Sequence, residues 1–137
     1  MNFKNIFILI AGLAIASTGN IATSFSKTYK SKVRSEKSTQ IFNFSVFDPR
    51  DCGAMAYPKV EFKKPAHGTI TVKRYRGKLN NKGHCNGKLA KGMAVYYKSD
   101  RGYRGADKAK VYFSFPRGVD GGGYNNVSSF NFNINVK

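Results

Sequence analysis

The stretch that decides the fold runs from Met93 to Phe115, MAVYYKSDRGYRGADKAKVYFSF. It holds two alternating runs. Met93, Val95 and Tyr97 share one parity in the first; Ala109, Val111, Phe113 and Phe115 share one in the second. Alternation with period 2 sends successive side chains to opposite faces of a strand. Val, Tyr and Phe suit such a pleated, half-buried surface. Between the runs, Gly102-Tyr103-Arg104-Gly105-Ala106-Asp107 punctuates against one continuous helix. Gly102 and Gly105 are open to backbone conformations closed to other residues. Tyr103 is expected to turn inward as a plug. Asp107 is expected to accept backbone N–H bonds and fix the loop before the next strand.

Outward from this pair, other strands follow. Thr39 to Phe47 puts Phe42, Phe44 and Val46 on one face and Ile41, Asn43, Ser45 and Phe47 on the other. Asp48-Pro49-Arg50-Asp51 ends it with turn chemistry. Pro58 to Lys63 reads as a short strand with Val60 and Phe62 inward. After a turn at 63–68, Thr69 to Tyr75 returns with Ile70 and Val72 inward. Arg76 to Gly92, rich in Gly, Asn and Lys, reads as a long loop with a hairpin-like turn at Asn86-Gly87. Pro116 to Asn126 is a Gly-rich loop. Val127 to Lys137 carries the cleanest alternation, Phe130, Phe132, Ile134 and Val136 against Ser129, Asn131, Asn133 and Asn135. That pattern buries one face and wets the other, as in an antiparallel sheet. No internal repeat and no amphipathic helix is present.

Several short elements, in order, carry a family resemblance. Pro65-Ala66-His67-Gly68-Thr69-Ile70-Thr71-Val72, then Val95-Tyr96-Tyr97, then Gly102-Tyr103-Arg104-Gly105-Ala106-Asp107 resemble bacterial Ig-like, cadherin-like domains. The resemblance covers roughly Tyr57 to Phe115 and implies an Ig-like antiparallel β-sandwich of about seven strands, here in a single exported copy. The clustered acidic residues of the calcium-binding relatives are absent, so the ligand stays open. Another small antiparallel β domain is the alternative.

The chain has 137 residues, which points to one domain. Residues 1–22 read as a secretory signal peptide: a short basic start, an apolar core from Ile6 to Ala16, and cleavage after Ala16 or Ala22. The apolar core is too short for a comfortable membrane span, so no span is expected after processing. Residues 23–38 read as a polar, basic N-terminal arm, exposed, with the alternative that part of it joins a sheet edge. The Ig-like domain is then 39–137. Export to a periplasmic or secreted location permits disulfides. Cys52 and Cys85 are the two cysteines, and pairing them closes a loop of about 33 residues, worth roughly 3–4 kcal/mol in the chain-entropy model. Their polar, Gly-containing neighbours suggest a staple between loops or strand ends rather than a core disulfide; free thiols or a redox pair are the alternatives.

The formal net charge is +17, with 24 basic and only seven acidic residues. Such an excess speaks to partners more than to fold. Lipopolysaccharide, acidic glycans and extracellular nucleic acid are the polyanions within reach of an exported protein, although a generally basic proteome explains the charge equally well. Tyrosines interleave with the cations, so Arg74, Arg76, Tyr96, Lys98, Arg101 and Arg104 are the candidate polyanion-binding residues, with Tyr96 and Arg74 directed outward. Arginine forks suit phosphate and carboxylate, and tyrosine offers a packing face. Solvated strand faces guarded by lysine are the plainer explanation.

Other chemistry has little to stand on. His67 and His84 are the only histidines, and a closed metal site needs about four ligands. Asp100 and Asp107 are near in sequence, but Asp107 has a better use as a loop cap. No Gly-x-Ser-x-Gly elbow occurs, and Gly121-Gly122-Gly123 lacks the Lys-Ser/Thr and helix of a phosphate loop. The expectation is therefore a non-enzymatic exported binding or structural module with no cofactor, no metal and no catalytic residues. A protein–protein adhesion or envelope-assembly subunit using sheet edges is the alternative.

Overall fold

The computed structural model describes residues 25–116 and 124–137. The expected signal peptide with its cleavage sites, and residues 117–123 of the Gly-rich loop, lie outside the described residues. Seven strands follow in order: β1 Phe25–Val33, β2 Thr39–Val46, β3 Lys59–Lys63, β4 Gly68–Lys78, β5 Leu89–Ser99, β6 Gly105–Pro116 and β7 Tyr124–Val136. They form two sheets, ordered β1-β7-β6-β3 and β2-β5-β4. With β2 to β7 standing for strands B to G, these are the two sheets of an Ig-like sandwich. The first strand lies beside the last rather than beside β2. No helix occurs among the described residues.

The alternation in Met93–Phe115 becomes two facing layers. Met93, Val95 and Tyr97 of β5 and Ala109, Val111 and Phe113 of β6 are buried in one cluster with Phe132, Ile134 and Val136 of β7. Aromatic rings tie the sheets together: Phe44 meets Phe113 edge-on at 4.7 Å, and Phe42 lies 4.9 Å from both Tyr29 and Phe130. Tilted and edge-on pairs at such spacings add about 0.5–1.5 kcal/mol each beyond the area they bury. A bulge between Gln40 and Phe42 leaves Ile41 as the extra residue and keeps Phe42 and Phe44 directed inward. On the outer side of β5, Tyr75 crosses over Gly92, where a Cβ would land on its ring.

Several expectations need correction. Residues 25–33 are not an arm: they are β1, paired in parallel with β7 from Phe25 opposite Ser128 to Val33 opposite Val136. The sandwich therefore begins at Phe25, not at residue 39, in line with the alternative that this segment joins a sheet edge. Its sequence hid the strand because lysine, serine and threonine fill most of 26–33, where Tyr29 and Val33 supply the apolar side chains. The β1–β7 pairing is parallel, while every other pairing is antiparallel. Phe62 shares Val60's parity but is 49% exposed, because five-residue β3 is an edge strand with no neighbour beyond it. The long loop shrinks, since β4 continues to Lys78 and β5 begins at Leu89. Gly87, at φ 77°, turns the remaining ten-residue connection, with its N–H on the Leu79 carbonyl.

Cys52 and Cys85 are joined, with Cα atoms 5.4 Å apart. As expected it staples two connecting segments outside the main core, and it has a small cluster of its own. Cys85 is buried with Leu79 and Ala90, and Phe47 and Cys52 pack against them. Asp48 shapes the adjoining turn. Its carboxylate accepts from the Arg50 side chain and backbone N–H, which together hold its pKa down to about 2.

Candidate functional site

The outer face of the four-stranded sheet presents an ordered array. Along β7, Asn131, Asn133 and Asn135 point outward, because Phe130, Phe132, Ile134 and Val136 take the other parity. Parallel pairing sets Lys30 beside Asn133 and Lys32 beside Asn135. From the other side, β6 sets Lys108 beside Asn133 and Lys110 beside Asn131, and β3 extends that last row with Lys63. A ladder of asparagines thus runs between two files of lysines. Side chains two residues apart on a strand lie about 7 Å apart, and neighbouring strands about 4.8 Å apart.

Asn133 and Asn135 make no side-chain hydrogen bond among the described residues, whereas Asn131 donates its Nδ2 to Ser26 Oγ at 3.0 Å. Glu61 is the only carboxylate on the face among the described residues, and Lys59 Nζ sits 2.9 Å from its Oε1. Two shallow depressions open here. One, of about 690 Å³, is lined by Lys63, Lys64, Lys108, Lys110, Asn131 and Asn133. The other, of about 660 Å³, is lined by Lys30, Lys32, Asn133 and Asn135. Such a surface can take negative charge at regular spacing and satisfy hydroxyls or carbonyls along its middle. Tyr112 is its one aromatic ring among the described residues, with Lys110 Nζ 5.1 Å from the centroid.

One end of the array is held by the loop read from sequence. Gly102 and Gly105 have φ of 72° and 126°, the region that favours glycine. Asp107 is buried, and its carboxylate accepts from the backbone N–H groups of Ala66 (3.2 Å), His67 (3.1 Å) and Lys108 (2.8 Å) and from the Tyr97 hydroxyl (2.8 Å). Burial, then the Asp107 hydrogen bond, pushes the Tyr97 phenol well above its ordinary value. Tyr103 stacks on His67 with centroids 4.1 Å apart and donates its hydroxyl to the Ala106 carbonyl. It is half-buried against the core rather than a plug within it.

The six candidates picked from sequence do not come together. Tyr96 and Lys98 lie on the outer face of the other sheet, where Tyr96 bonds Gln40 and Lys73 sits over its ring. Arg74 is exposed, but not on the outer face of the sheet. It shares the inward parity of Ile70 and Val72, and its guanidinium lies over the Tyr57 ring at 4.6 Å. Arg76 follows two residues on. Arg101 and Arg104 sit exposed in the β5–β6 turn, at the far end of the sandwich. The lysine–asparagine array was missed. Its period-2 signals, Lys30-x-Lys32, Lys108-x-Lys110 and Asn131-x-Asn133-x-Asn135, were readable, but their adjacency depends on β1 pairing with β7.

Cys52, His84 and Cys85 bring their ligand atoms within 4.8 Å of one another. The two sulfurs are bonded to each other, and it is the thiolate that ligates a metal. No helix among the described residues is long and apolar enough to cross a membrane.

No family model matches the chain, and no curated protein does. Among solved structures it is similar to a crystal structure of a cysteine protease inhibitor from Entamoeba histolytica, with a TM-score of 0.37 and 11% identity over 82% of this chain and 97% of that one.

Proposed function

We propose that the protein is an exported, non-enzymatic module that binds an acidic polysaccharide along the outer face of the four-stranded sheet. The observation that carries this is the asparagine ladder flanked by Lys30 and Lys32 on one side and Lys108, Lys110 and Lys63 on the other. Asparagine amides both donate and accept, which suits sugar hydroxyls, and the flanking ammonium groups suit carboxylates or sulfates along a chain. Single-stranded nucleic acid is less suited, because its sequence-tolerant binders rely on stacking platforms and among the described residues Tyr112 alone supplies a ring here. The disulfide fits an oxidising compartment, periplasmic or extracellular.

Retention of the oxidised protein on heparin, on immobilised polygalacturonate and on oligo-dT across a salt series tests this. Replacing Lys30, Lys108 and Lys110 together by Gln is expected to weaken glycan binding on the order of a hundredfold, at roughly 1 kcal/mol per lysine facing an anionic surface, and to flatten the salt dependence. Replacing Arg101 and Arg104 by Gln leaves it nearly unchanged. Equal losses from both variants, or oligo-dT held as tightly as the glycans, would overturn the assignment.

A second reading, a protein partner added at the β3 edge, has exposed Phe62 in its favour. Such binding would resist salt and would be lost in Phe62→Ser.

A further inference from the structure

At the disulfide end of the β4–β5 hairpin, two cations lie over one ring and a third stands across the sheet from one of them. The Arg74 guanidinium lies 4.6 Å from the Tyr57 centroid, and Lys91 Nζ lies 5.5 Å from the same centroid. Arg76 stands directly opposite Lys91 in the sheet register. Cross-strand partners have Cβ atoms about 5 Å apart, and like charges placed so repel. No counter-charge answers them: among the described residues Arg74, Arg76 and Lys91 make no ion pair, and the carboxylates that do are Asp48 with Arg50 and Glu61 with Lys59. Tyr57 is itself fixed, donating its hydroxyl to the Tyr75 carbonyl at 3.2 Å and packing against the main core. The ring therefore holds Arg74 and Lys91 in place where repulsion alone would splay them.

Two guanidinium forks on alternate residues of one strand and face, with an ammonium from the neighbouring strand, form an arrangement for a compact dianion rather than for a chain of single charges. Phosphate monoesters carry close to two charges on three oxygens, which match arginine forks in geometry and charge. We propose that Arg74 and Lys91, seated on Tyr57, together with Arg76 opposite Lys91, form a binding site for a phosphate monoester. It shares no residue with the lysine–asparagine array. It also lies about 26 Å, eight residues of strand, from the Ser99 end of β5 where the Asp107 loop sits. The assignment is independent of the polysaccharide reading.

The test is a titration of the oxidised protein, at constant ionic strength, with methyl phosphate. Arginine Nε–Hε and tyrosine ring signals are followed by NMR. Saturable, one-to-one shifts confined to Arg74, Arg76 and Tyr57 are expected. Arg74→Lys keeps the charge but loses the fork, and should bind about tenfold more weakly, the loss of one charge-assisted hydrogen bond; Arg101→Lys should bind as the parent does. A second arm uses phosphatidylcholine vesicles with and without phosphatidic acid. Binding to methyl phosphate alone assigns a soluble ester, and binding to both assigns an ester that includes a headgroup. Shifts spread evenly over Arg101, Arg104 and the other arginines, an unsaturable response, or an Arg74→Lys protein that binds as tightly as the parent would overturn the proposal.

Discussion

Asp107 ties three segments to one carboxylate: the 63–68 turn through Ala66 and His67, β5 through Tyr97, and its own strand through Lys108. Replacing it with Ala leaves two part-buried amides of the turn without their acceptor, while the Tyr97 hydroxyl keeps the His67 carbonyl at 3.2 Å. At about 1 kcal/mol for each part-buried amide left unsatisfied, Asp107→Ala should lower the unfolding free energy by roughly 2 kcal/mol, read as a lower urea midpoint with an unchanged slope. Tyr97 adds a pH term. Its phenol is pushed up from its ordinary 10.0 by burial first and Asp107 second. Below about pH 10 both folded and unfolded chains keep the proton, so Tyr97 contributes no slope. Above it the unfolded chain releases the proton first, and stability falls as pH rises toward the folded pKa. In denaturant melts across alkaline pH, Tyr97→Phe should show a shallower decline than the parent, and an identical decline would remove Tyr97 as a cause. The capping role of Asp107 was legible from its place after two glycines. The Tyr97 hydroxyl was not, because its reach to Asp107 follows from the pairing of sheets and not from spacing along the chain.

At the scale of strands, legibility tracked hydrophobic contrast. β5, β6 and β7 alternate large apolar residues with polar ones, and all three were read with their inward faces correct. β1 has the same period, but its outward positions are serine, threonine and lysine, and its inward ones include Lys27 and Ser31 beside Tyr29 and Val33. Little apolar contrast is left to detect. Amide exchange tests the strand directly. Amides along 26–33 that donate to the β7 ladder should be protected well beyond the intrinsic rate, since they belong to the core sheet. Exchange throughout 26–33 at the rate of an unstructured peptide would return the segment to an arm. The same weakness explains the missed array, whose lysines and asparagines are legible singly, in three stretches separated by most of the chain.

For the molecule as a whole, charge opposes compaction. A formal +17 on 137 residues, with two ion pairs among the described residues, makes self-repulsion a standing cost to the folded state. Added salt shortens the Debye length to about 8 Å at physiological strength. The melting temperature should therefore rise from low to physiological salt and then level off. A melting temperature that falls over that range would mean that attractive pairs dominate instead. The sandwich class and the disulfide were legible from sequence, while the division of the cations among separate faces was not, since parity alone does not say which sheets lie back to back.

Because β1 runs beside β7, Phe25 meets its partner only at Ser128 and Val33 only at Val136. A growing or threading chain cannot seat its first strand until its last has emerged. Until then Tyr29 and Val33 lack the strand they pair beside, so the final docking event is a long-range closure of the kind that slows folding. The sandwich would stay unfinished up to the last residues of β7. Truncating those residues would free both ends of the molecule at once.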